Sequence, residues 1–190
     1  MITVTRRAGL LASLSVIIHI CSTPIAKAAS DQNTLDRLFT ELKAASTPEE
    51  AARKASEIQK QWMDVKSPTL TLLMHRAMIA MAQDQTPLAI ELLSRVIADN
   101  PDLVEAWNQR ATAFYILGDL PRSLSDIAET LKREPRHFGA LSGLGMIMMD
   151  QGRMTQARAA FEKVLALYPL MTSAREAIDL IDKGQEAAPL

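Results

Sequence analysis

The chain has 190 residues, 48% of them hydrophobic and 23% charged, with a formal net charge of −1. That apolar share excludes general disorder, and the length suits one domain. Only 4% of residues are aromatic and 7 Gly stand against 9 Pro, which favours helices over the β-branched strands and glycine turns of a sandwich or barrel. The charge balance holds no basic field for nucleic acid. Cys21 is the only cysteine, so there is no internal disulfide framework.

In chain order, residues 1–28 read as a secretory signal peptide. Arg6 and Arg7 supply a positive start, Ala8 to Cys21 carries no formal charge and is mostly apolar, and Ala26-Lys27-Ala28 places small residues at −3 and −1 of a cleavage site. The run is shorter than the ~18–20 residues that span a bilayer. Ala8 and Gly9 follow the arginine pair where a twin-arginine signal has a large apolar residue. Ile20 precedes Cys21 where a lipoprotein site needs a small one. A cut after Ala28 removes Arg6, Arg7 and Lys27 and no acid. The expected mature chain is more acidic, free of cysteine and without a membrane span, and it is secreted across the inner membrane into the periplasm.

Residues 29–69 are expected to form a helical N-terminal cap. Leu35, Leu38, Phe39 and Leu42 fall at i, i+3, i+4 and i+7. Thr47-Pro48-Glu49-Glu50 is a capping box with proline at the first helical position. Ala51, Ala55, Ile58, Trp62 and Val65 then make one apolar stripe. The pair reads as a degenerate repeat covering the first helix layer of the solenoid.

A 34-residue step organises the rest. It relates Pro101, Pro135 and Pro169; Ala77, Ala111 and Gly145; Ala89, Ser123 and Ala157; Leu93, Ile127 and Phe161; and Ile97, Leu131 and Leu165. Gly118 and Gly152 hold the same relation, with Asp84 in the first place. Small columns let two helices approach, large apolar columns fill the space between pairs, and the glycine column suits a turn with φ > 0. Thr86-Pro87 reads as an N-cap with proline behind it, and Pro121 sits in the matching place. The boundaries are 70–103, 104–137 and 138–171. Residues 172–190 add a capping helix over Ser173 to Asp182, with Ala174, Ile178 and Ile181 inward and Arg175, Glu176, Asp179 and Asp182 outward, then a frayed tail from Lys183.

These columns resemble the tetratricopeptide repeat (TPR) family. Trp107, Ala111, Phe114, Gly118, Ser123, Ile127 and Pro135 match its motif in one repeat. Leu141, Leu144, Gly145, Gly152, Ala157, Phe161 and Pro169 match it in the next. The first repeat departs, with Leu73 for the usual Trp, Ala80 for the large aromatic and Asp84 for Gly. The resemblance implies an all-α solenoid of helix-turn-helix units winding as a right-handed superhelix, with Trp107 buried between helices and Gly145 tightly packed. It also implies a concave groove lined by first-helix side chains. Carried onto this chain these are Thr71, Met74, Met78 and Met81; Glu105, Asn108, Thr112 and Tyr115; and Gly139, Ser142, Met146 and Met149.

No catalytic constellation is visible, and no cofactor is expected. His75 reads as a helix-surface residue, and His137 as a loop residue with no carboxylate at a metal-ligand spacing. The five groove methionines suit an adaptable apolar binding patch, and equally suit gap-filling in a core; without His or Cys beside them they do not make a copper or haem site. Some family members hold C-terminal carboxylates with a Lys/Asn/Arg clamp; the matching first-repeat places here are Met74 and Met78, so no clamp appears and an acidic tail is not the expected ligand. The resemblance points to small periplasmic TPR proteins of Gram-negative bacteria, and to a non-catalytic adaptor that takes a protein or peptide segment in its groove. The rivals are a structural subunit that self-associates through its convex or terminal helices, and an enzyme with an unrecognised site.

Overall fold

The computed structural model describes residues 23–186, with side chains from Gln32 to Gly184. Among them the chain forms α1 (Thr23–Ala44), α2 (Pro48–Trp62), α3 (Pro68–Ala82), α4 (Thr86–Asp99), α5 (Val104–Ile116), α6 (Leu120–Arg133), α7 (Phe138–Asp150), α8 (Met154–Leu167) and α9 (Thr172–Glu186). The signal segment lies outside the described residues except for Thr23–Ala28, which form the start of α1. The last four residues of the expected tail also lie outside them, while Lys183–Glu186 continue α9 rather than fraying.

Local chemistry sets the helix starts. Thr47 Oγ1 accepts the Glu50 N–H at 3.2 Å, and Glu50 Oε2 accepts the Ser46 N–H at 2.9 Å. Ser67 caps α3 with Pro68 behind it, and Asp119 caps α6 through the Arg122 N–H. Thr86 is not the cap of α4. It is the first helical residue and is buried, with Gln85 before it. The inter-helix turns run through left-handed backbone at Asp84 (φ 58°), Gly118 (73°) and Gly152 (70°), the column the 34-residue step assigned to turns.

The pairs α3–α4, α5–α6 and α7–α8 stack in order, and α9 closes the far end with Ala174, Ile178 and Ile181 buried. Close approach is greatest in the third pair. A Cβ on Gly145 would stand 2.6 Å from Phe161 Cζ, so any side chain there would have to displace the Phe161 ring.

The α1–α2 hairpin does not cap the first repeat. Leu38, Phe39, Leu42, Ala51, Ala55, Ile58 and Trp62 share one core with Phe138, Leu141, Ile147, Phe161 and Ile178, whereas Leu70, Ala77, Leu93, Val96 and Ala106 form a second core without the hairpin. α1 lies against α8, Arg136 pairs with Asp36 at 2.6 Å, and the Arg136 guanidinium sits 4.5 Å from the Phe39 ring centre. Trp62 stacks on His137 with centroids 4.0 Å apart and meets Phe138 at 5.1 Å. Val65, expected to extend the α2 stripe, lies in the link beyond α2 and packs on the first-repeat core instead. The seat of the hairpin is the aromatic edge made by His137, Phe138 and Tyr168.

Candidate functional site

The first helix of each unit, α3, α5 and α7, carries the positions expected to line the groove. A cavity of about 160 Å³ opens between α5 and α7. Asn108, Thr112, Tyr115, Ser142 and Met146 line it, together with Gly139, whose missing side chain leaves the Asn108 amide and the His137 ring as its neighbours. Its floor is Ala111 and Ile147, both buried.

The expected set divides by environment. Met78 and Met146 are exposed, and Met81, Tyr115 and Met149 are half-buried against the two cores. Met74 is not in the groove: it is buried in the first-repeat core, where its unbranched chain fills the space beside Leu70 and Ala77. Glu105 is also withdrawn from the groove. Its Oε1 accepts from Asn108 Nδ2 at 3.1 Å and Gln109 Nε2 at 2.6 Å, and its Oε2 lies 3.0 Å from His137 Nε2.

His137 does sit in the link before α7, as expected, but it is buried there and meets a carboxylate from the preceding repeat. It is 2% exposed, and its Nδ1 accepts the Ala140 N–H at 3.1 Å, capping α7. An accepting Nδ1 leaves the proton on Nε2, which donates to Glu105. The neutral ring so satisfies both sides of a buried carboxylate-to-helix link, and Trp62 covers its face. The 32 residues between Glu105 and His137 hide this contact from a reading of local spacing.

Tyr115 Oη donates to Asp150 Oδ2 at 2.8 Å, bridging the second and third units across the groove, and the Asp150 carboxylate holds the phenol above its usual range. Trp107, expected to be buried between helices, is half-buried and packs against the first-repeat core. Its Nε1–H donates to the Pro101 carbonyl at 2.9 Å, and Arg110 and Arg133 flank the ring at 5.1 and 4.8 Å.

One groove position lies outside the expected set. The 34-residue step that relates Met78, Thr112 and Met146 continues to Leu180 on α9. Leu180 is exposed, and the same step aligns the buried Ala174 and Ile181 with Ala140 and Ile147. The register that lines the cavity with Thr112 and Met146 thus holds four exposed side chains, Met78, Thr112, Met146 and Leu180, ending on the closing helix. Among the described residues no group of three His, Cys, Asp or Glu is arranged to hold a metal, and no helix is long and apolar enough to cross a membrane.

The sequence model for the tetratricopeptide repeat matches residues 74–129 and 109–171. A TPR repeat-containing protein of Rhizobium etli is 39% identical over 153 residues, covering 80% of this chain and 75% of its own. Among solved structures, the first TPR of Spaghetti (RPAP3) bound to the HSP90 peptide SRMEEVD is similar at a TM-score of 0.60 and 20% identity, covering 65% of this chain and 98% of that one. The Sgt2 TPR domain from Aspergillus fumigatus is similar at 0.60 and 21%, covering 65% and 87%. At these identities the two structures speak to fold alone.

Proposed function

Because this chain belongs to the tetratricopeptide repeat family, we propose that it is a non-catalytic adaptor that binds a segment of a partner protein across its concave groove. The exposed row of Met78, Thr112, Met146 and Leu180 carries this reading, because unbranched thioethers and a leucine repack around varied apolar side chains. Asn108 adds a polar point. Its Nδ2 is engaged by Glu105, which leaves its Oδ1 to accept a ligand backbone N–H in the cavity between α5 and α7. The HSP90-peptide complex of the Spaghetti TPR supports peptide binding by this architecture. With Met74 buried and Met78 apolar, the ligand offers an apolar stripe rather than an acidic tail.

The same reading takes the protein to the periplasm of a Gram-negative cell. Support comes from the arrangement of Arg6-Arg7, the uncharged run and Ala26-Lys27-Ala28. A cut after Ala28 shortens α1 at its start and leaves Leu35, Leu38, Phe39 and Leu42 to dock. N-terminal sequencing of protein from the cell envelope should then begin at Ala29 or within a residue or two, and a start that retains Arg6 sinks this part.

For the groove, the test is the double variant Met78→Glu/Met146→Glu. Both side chains are exposed, so stability should change by no more than about 0.5 kcal/mol. Affinity for the partner captured by the wild-type protein and identified by mass spectrometry should fall about tenfold or more. Unchanged affinity in a fully folded variant removes the groove as the site.

A further inference from the structure

The outer face of α3, at the start of the stack, is open. The 34-residue step relates Leu72 to Ala106 and Ala140, and Ile79 to Ala113 and Ile147. In the later repeats these places are covered by the preceding unit, α4 lying on α5 and α6 on α7: Ala106 is 0% exposed and Ile147 1%. Leu72 is 56% exposed and Ile79 42%. Leu88, also exposed, shares a shallow groove with Arg76, Ile79 and Leu92. The hairpin that would have covered this face is docked on the third repeat.

Arg76 shows what chemistry is missing. Its counterpart one repeat on is Arg110. Arg110 holds Asp126 through two bonds of 2.7 and 2.9 Å, and its Nη1 reaches Ser94 of the preceding helix α4 at 3.0 Å. In the first repeat Leu92 stands where Asp126 stands in the second, no helix among the described residues supplies a counterpart of Ser94, and α3 contains no acidic residue. An exposed arginine is thus set beside Ile79, Leu88 and Leu92 in a shallow groove that Gln83 and Gln85 also line, at a register that the preceding helix fills in the later repeats.

We propose that this face docks an amphipathic helix of a partner protein, lying as α4 lies on α5, with its apolar stripe on Leu72, Ile79 and Leu88 and a carboxylate on Arg76. This face is separate from the concave groove and does not depend on it. A second copy fits less well. Two-fold pairing of α3 with itself sets Arg76 against its own copy with no acid on either helix.

The probe is a helix-stapled peptide of the α4 sequence, residues 86–99, carrying Ser94→Glu. That substitution puts a carboxylate where Ser94 meets Arg110. Fluorescence anisotropy against the folded protein should give saturable binding. Ile79→Glu, at an exposed site, should weaken it by about tenfold or more with an unchanged circular dichroism melt. Arg76→Glu should weaken it by about fivefold, and a peptide with Ser94→Lys should restore it to that variant. No saturation up to about 1 mM, or an isotherm indifferent to Ile79→Glu, overturns the proposal. Sedimentation showing a dimer at low micromolar concentration that Ile79→Glu dissociates also overturns it, by giving the face to a second copy.

Discussion

The first and third repeats share a register but not an environment. The third is enclosed by α6, by α9 and by the hairpin, and its core carries Phe138, Phe161 and the Trp62–His137 stack. The first has no unit before it and a smaller core of aliphatic side chains and small residues, with Met74 as filler. The same column holds an exposed isoleucine at 79 and a buried one at 147. Residue type is identical, so place in the stack decides the burial. In a solenoid each unit's stability is its own plus that of its interfaces, and here the interfaces are unevenly distributed.

The largest loss of stability is expected of Trp62→Ala. Trp62 fills the seam between hairpin and third repeat, so about 3–5 kcal/mol should be lost in urea denaturation. A loss below about 1 kcal/mol would mean that the seam is not a shared core. Gly145→Ala should cost about 1–3 kcal/mol, because the new Cβ meets the Phe161 ring. In the same column of the first repeat, Ala77→Gly should cost only about 1 kcal/mol, mainly from backbone freedom, and a reversed order would refute the difference in packing. Trp107→Ala should cost about 2–3 kcal/mol, below Trp62→Ala, since the ring is only partly buried against the first-repeat core and its loss also removes two arginine contacts and one hydrogen bond. Equal thermal melts for the two tryptophan variants would erase the distinction.

The smallest effect is that of acid. The Lys54 ammonium holds Glu41 below the usual carboxylate range, the Arg122 backbone N–H does the same for Asp119, the Arg133 guanidinium for Glu129 and the Arg158 guanidinium for Asp182. Folded values below unfolded ones give stability that is fully present above the ordinary carboxylate range of about 4 and lost as pH falls through the folded values. None of these four residues lies on α3 or α4. Hydrogen exchange at about pH 3 should therefore loosen α1, α6 and α9 relative to pH 7 and change α3–α4 least. The reverse order would contradict this assignment.

The repeat architecture is legible in the sequence because its signal is spacing. Small, large and turn-forming columns recur at 34 residues, and the glycine column carries the left-handed turns. The destination of the hairpin is not legible. The stripe from Leu35 to Trp62 specifies an apolar face, and burial is non-directional, so the pattern cannot say whether α3 or α7–α8 receives it. The role of His137 is hidden for a related reason: its carboxylate lies in the preceding repeat, beyond any helical spacing. Met74 and Glu105 share the groove register yet turn inward, because one side chain is flexible enough to fill the core and the other is held by three donors. Leu180 needs only the 34-residue step carried one unit further.

The ion pair between Asp36 and Arg136 closes a separation of 100 residues. Stacked repeats ordinarily fold from neighbour to neighbour, and this clamp adds contacts of high order to a chain otherwise built from local ones. At a synthesis rate of about 5–20 residues per second, the hairpin emerges roughly 5–20 s before its seat on the third repeat exists. For that interval α1 and α2 already pack on each other, while the faces of Phe39 and Trp62 that meet Arg136, His137 and Phe138 still lack their native cover.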